Sequence, residues 1–141
     1  MSVIAETSIS LRYFGVDLVP DALTLALGKQ PTTSTTKGEV ITNQKTGTVR
    51  VAKSGSWLYD VQRREPGDLD GQIEELFGGL TVDLSIWRSL AELYEPDLFV
   101  GLFMKESNEG IKVSARCMEI LAARGVSLSL DIYGPLEKED E

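Results

Sequence analysis

The chain has 141 residues, 42% of them hydrophobic, and 14 basic against 22 acidic side chains for a net charge of -8. One domain of ordinary size with a real core fits these values, wholesale disorder does not, and the negative charge opposes phosphate backbones, so nucleic acid is not an expected partner. There is no histidine and only one cysteine, which excludes serine–histidine and cysteine–histidine triads and any intramolecular disulfide.

In chain order, residues 8–14 alternate, with Ile9, Leu11 and Tyr13 on one side and Ser8, Ser10 and Arg12 on the other. Period two predicts a half-buried strand. Pro20 is suited to start a short helix whose Leu23, Ala26 and Leu27 share a face, and Gly28 to stop it. Residues 31–38, rich in Thr and Ser around Lys37, read as a polar loop. Residues 39–42, 48–53 and 56–61 read as strands of a hairpin or short meander, the last with Trp57, Tyr59 and Val61 on one face.

Asp68 is a good helix cap. Leu69, Ile73, Leu76, Phe77 and Leu80 then recur at helical spacing, the strongest period in the chain. Asp83 or Ser85 caps a continuation with Leu84, Trp87, Leu90, Ala91 and Tyr94 inward. One kinked helix through Gly78-Gly79 and two consecutive helices both satisfy this pattern. Residues 98–104 are an unbroken apolar run between Pro96 and Lys105, expected as the central strand of the only sheet, covered on both faces. At seven residues the run is too short to span a bilayer. Ser114 caps a last helix with Cys117, Met118, Leu121 and Ala122 inward, and Gly125 ends it. Val126, Leu128, Leu130 and Ile132 then alternate with Ser127, Ser129, Asp131 and Tyr133 as a half-buried strand.

The expected fold class is α+β: a two-layer sandwich of one mostly antiparallel sheet with helices on one face, in the order β-α-β-β-α-β (ferredoxin-like) followed by α-β. Residues 1–136 form the single domain and residues 137–141, with four acids and one base, an acidic flexible tail. A start without a basic segment or apolar core, together with the lone cysteine, suits the reducing cytoplasm.

Several stretches in this order resemble a bacterial family known as domain of unknown function 4279. They are Gly15-Val16-Asp17-Leu18-Val19-Pro20-Asp21, Leu27-Gly28 with Pro31-Thr32, Lys37-Gly38-Glu39, Ser54-Gly55-Ser56-Trp57, Asp97-Leu98-Phe99-Val100-Gly101-Leu102-Phe103 and Leu130-Asp131-Ile132-Tyr133. The resemblance implies a compact bacterial α/β domain and transfers no activity and no catalytic residue.

No catalytic residue, metal site or cofactor is expected. The binding residues singled out are Arg12, Lys37, Asp131 and Tyr133. If the first and last strands pair, Arg12 and Asp131 meet on an open polar sheet face, and the bland alternative is a solvated outer face. Lys37 beside Gly38 invites an anion but lacks the glycine spacing of a P-loop. Trp57 and Trp87 fall at core-facing positions, Cys117 reads as a buried thiol, and Asp17 and Asp21 are too few to hold a cation, with helix capping accounting for one of them. The resulting expectation is a non-catalytic binding or protein-interaction module, in one version an immunity-type inhibitor whose acidic surface covers a basic toxin. The alternative is a small-ligand protein or enzyme using Arg12, Asp131 and Tyr133. A basic protein is the expected partner, with no nucleic acid and no membrane. The oligomeric state is not legible.

Overall fold

A computed structural model describes residues 2–136. The acidic segment at residues 137–141 lies outside the described residues. In chain order the elements are β1 (Ser2–Val3), β2 (Glu6–Gly15), α1 (Pro20–Leu27), β3 (Thr33–Thr35), β4 (Val40–Thr42), β5 (Val49–Val51), β6 (Gly55–Asp60), α2 (Leu69–Gly78), α3 (Leu84–Tyr94), β7 (Asp97–Phe103), β8 (Glu109–Gly110), α4 (Ala115–Ala123) and β9 (Ser127–Tyr133). The main sheet has the spatial order β3-β6-β2-β7-β9, antiparallel throughout except for the parallel pair β7–β9. The fold is α+β, as its periodicities predict.

The apolar positions of β2 build the core. Ile9, Leu11 and Tyr13 are buried in one cluster with Leu23 and Leu27 of α1, Ile73 and Leu76 of α2, Trp87 of α3 and Cys117 and Leu121 of α4. The four helices of the described residues therefore lie on one face of the sheet. Asp68 caps α2 by accepting from the Gly71 N–H at 3.1 Å, Ser114 caps α4, and Gly28 closes α1 in the left-handed region at φ 91°. Of the two arrangements open for residues 69–94, the chain takes two helices. Asp83 accepts from the Ser85 N–H at 2.9 Å and starts α3 afresh.

Several expectations are corrected. The element order is not reproduced piece for piece. Thr33–Thr35, read as loop, forms an edge strand on β6 with Ser34 opposite Trp57, and the β-branched Thr residues suit its extended backbone. The sheet is not the only one: β4 pairs with β5 in a separate ribbon, and β1 with β8 in another. β7 is interior, between β2 and β9, but helices cover only one of its faces. Leu98, Val100 and Leu102 are buried there, while Phe99 and Phe103 turn to the other side and are half-buried. Val126 is buried, yet Leu128, Leu130 and Ile132 are 37%, 50% and 60% exposed, and Met118 is exposed too, since β9 is an edge and α4 covers only its inner side. Neither Asp17 nor Asp21 caps α1. Its cap position is Val19, without a side-chain bond, and Asp21 sits in the first turn.

Candidate functional site

Strands present alternate residues to alternate faces, so burying Ile9, Leu11 and Tyr13 turns Glu6, Ser8, Ser10, Arg12 and Phe14 to the uncovered side. Register then lays out this open face. Arg12 stands opposite Asp97 of β7, Ser10 opposite Phe99, Ser8 opposite Gly101 and Glu6 opposite Phe103. One strand further, Phe99 faces Ser129, Gly101 faces Asp131 and Phe103 faces Tyr133 of β9.

Two side-chain clusters occupy the face. In the first, Arg12 donates from Nε and Nη2 to the two Asp97 carboxylate oxygens at 2.8 and 2.6 Å. Its guanidinium lies 4.2 Å from the Phe99 ring centroid, and the Ser129 hydroxyl donates to Asp97 at 2.7 Å. Burial alone would push the Asp97 carboxyl up, but the bonds from Arg12 and Ser129 outweigh it and hold the group below its ordinary value. Reciprocally, the bond to Asp97 raises Arg12. In the second cluster, Phe103 and Tyr133 stack with centroids 4.8 Å apart and planes within 3°. Arg63 sits 4.9 Å from the Phe103 centroid and pairs with Glu6 at 3.3 Å. The Tyr133 hydroxyl donates to Asp131, which raises the phenol above its ordinary range.

The expected Arg12–Asp131 contact does not form. β7 separates β2 from β9, so Arg12 takes Asp97, its direct cross-strand neighbour, and Asp131 is engaged by Tyr133. Lys37 is further away still. It is exposed in the loop after β3, at the opposite edge of the sheet from β9, with β6, β2 and β7 between. Of the four residues predicted, the open face holds Arg12, Asp131 and Tyr133, and brings only the last two into contact. Ser129 stands on the outward side of the last strand as its alternation predicts, whereas Asp97, Phe99, Phe103 and Arg63 carry no such signal. The alternation of Phe99 and Phe103 with Leu98, Val100 and Leu102 was present inside the apolar run, but both halves are hydrophobic, so it carried no polarity signal.

A cleft of about 360 Å³ opens elsewhere, beside Val3, Asp68, Asp70 and Lys112, and holds none of the four predicted residues. Among the described residues no group of three or more His, Cys, Asp or Glu side chains is placed to hold a metal, and no helix is long and apolar enough to cross a membrane. Cys117 is buried; burial raises its thiol, whose Sγ lies 3.7 Å from the Asp70 carbonyl. Trp57 and Trp87 are core residues, their indole N–H groups donating to the Thr24 hydroxyl and the Thr81 carbonyl at 3.1 and 2.8 Å.

A family model described as domain of unknown function (DUF4279) matches residues 5–135. No curated protein and no solved structure matches the chain.

Proposed function

From the premise that the chain belongs to the DUF4279 family, we propose that it is a non-catalytic protein-interaction module of the bacterial cytoplasm whose open sheet face docks a basic protein, as an immunity-type inhibitor docks a toxin. The observation that carries this reading is a five-stranded face that no helix of the described residues covers and that bears aromatic rings and carboxylates. Phe14, Phe99, Phe103 and Tyr133 supply flat apolar area, the residue type that dominates interface energetics. Four carboxylates (Glu6, Asp60, Asp97 and Asp131) stand there against the guanidiniums of Arg12 and Arg63. Two of the four are already satisfied in ion pairs, Asp97 by Arg12 and Glu6 by Arg63. Asp60 and Asp131 have no ion pair among the described residues, and offer acceptors to Lys or Arg of a partner. The whole chain adds to the field with its charge of -8, which steers a basic partner inward and repels nucleic acid.

The reading as a small-ligand protein or enzyme needs Arg12, Lys37, Asp131 and Tyr133 to converge on a pocket. Lys37 lies off the face and the cleft of about 360 Å³ holds none of the four, so no observation favours it.

The test is affinity capture of proteins from the native host by the full chain and by Asp60→Lys/Asp131→Lys. The expected result is a basic protein captured by the native chain, with an association rate at least tenfold lower for the double variant, the low end of steering effects. Unchanged capture by the variant, or capture of nucleic acid under the same conditions, would sink the reading.

A further inference from the structure

The two edges of the main sheet differ in a way that points to a second interface. β3, at one edge, has three residues, all Thr or Ser. Short and polar, it is a poor template for another strand. β9, at the other, has seven residues, Ser127–Tyr133, with no Lys, no Pro and no bulge. Asp131 is its one charged residue, and it alternates onto the open face, away from the side that carries Leu128, Leu130 and Ile132.

Its backbone and side chains are both unspent. The Ser127 N–H donates to the Pro96 carbonyl and the Tyr133 carbonyl accepts from Met104, so odd-numbered residues of β9 bond inward toward β7. The N–H and C=O of one strand residue point to the same side and alternate along the chain, which directs those of Leu128, Leu130 and Ile132 outward. The side chains of the same three residues lie on the helix-bearing face, in register with buried Leu98, Val100 and Leu102, yet are 37%, 50% and 60% exposed. Exposed Met118 of the adjoining α4 extends the apolar area.

We propose that the occupant of this edge is a second copy of the chain, paired antiparallel through β9 about a two-fold axis at Leu130. The axis sets Leu130 opposite its own copy and Leu128 opposite Ile132, so all three outward-facing residues fall in hydrogen-bonded pairs and all apolar side chains meet apolar ones. On the other face Ser129 stands opposite Asp131 and Ser127 opposite Tyr133. A shift of the axis by one residue to Asp131 would put two carboxylates face to face, which disfavours that register. This self-complementarity is what an isologous two-fold interface requires. The two copies repel through their net charge of -8 each. Added salt screens that repulsion, so dimerisation tightens with salt, the opposite of docking to a basic partner.

Sedimentation equilibrium of the full chain over a wide dilution series tests this. The expected mass is twice the 15.5 kDa of the chain at the concentrated end, with the dimer fraction rising with salt. Leu130→Lys, which sets two ammonium groups against each other at the axis, is expected to stay monomeric. Leu25→Lys, at an exposed site on α1, is expected to dimerise like the native chain. A native chain that is monomeric throughout overturns the proposal, as does a folded Leu130→Lys variant that dimerises undiminished. If that variant does not fold, hydrogen exchange on the native protein decides. The amides of Leu128, Leu130 and Ile132 are expected to be slow when concentrated and fast when diluted, and equal fast exchange at both ends overturns the interface.

Discussion

Gln72 shows how a single polar side chain is made compatible with a dry core. It is fully buried, as is Thr7. Its amide donates to the Thr7 and Gln62 carbonyls at 3.0 and 3.1 Å, and its oxygen accepts from the Thr7 hydroxyl at 2.6 Å. The same hydroxyl accepts from the Asp68 N–H at 3.0 Å, tying the start of α2 to β2. Gln72→Leu would take one of two donors from the Thr7 carbonyl, which keeps the Arg64 N–H, and leave the buried Thr7 hydroxyl without its acceptor, and is expected to cost about 1–3 kcal/mol in urea denaturation. In the Thr7→Val/Gln72→Leu double variant the loss should fall short of the sum of the two single losses, because the two residues share one network; strict additivity would disprove the coupling. Asp97 is the residue through which acid acts on the open face. Its carboxyl is held below the ordinary value of about 3.9 by Arg12 and Ser129. The unfolded chain therefore takes up that proton first as pH falls. The stability contributed by the charged form is complete above about pH 4 and is lost at lower pH, as the folded carboxyl itself titrates. The stability gap between the native chain and Asp97→Asn is expected to stay level from neutral pH down to about 4 and to shrink below it. A gap already closing between pH 6 and 5 would contradict the paired geometry.

Among the elements, β7 carries the most consequence. It is bonded on both sides, by β2 and β9, so its amides should be among the slowest to exchange in the protein. Its two faces differ energetically although both are apolar. Leu98→Ala opens a hole among fully buried neighbours and is expected to cost about 2–5 kcal/mol. Phe103→Ala removes a half-buried ring that is stacked on Tyr133 at the open face, and is expected to cost clearly less. Equal losses in chemical denaturation would mean that both faces are covered. α2 is legible to its cap because Leu69, Ile73, Leu76 and Phe77 at helical spacing have one geometric solution, whereas the split before α3 depends on whether Asp83 turns its carboxylate onto the Ser85 N–H, a local choice that the pattern leaves open.

At the level of the molecule, alternation says which side chains of a strand share a face, but not which strand stands next to which. The open face was legible on β2 and β9 separately, and its ion pair was assigned to the wrong acid because β7 intervenes. Edge status was equally hidden. The apolar positions of β9 look like those of β2, and only the sheet order makes one set core and the other surface. That same order has a consequence for how the protein is made. β2, near the start of the chain, occupies the centre of the sheet, and Glu6 finds its partner Phe103 about 100 residues later. At about 5–20 residues per second, synthesis delivers that partner some 5–20 s after β2 is made. Through that interval Ile9, Leu11 and Tyr13 have no finished sheet to enter. Pairings so distant in sequence place the domain among slower two-state folders, and β2 is the strand of the nascent chain most in need of shielding until β7 is made.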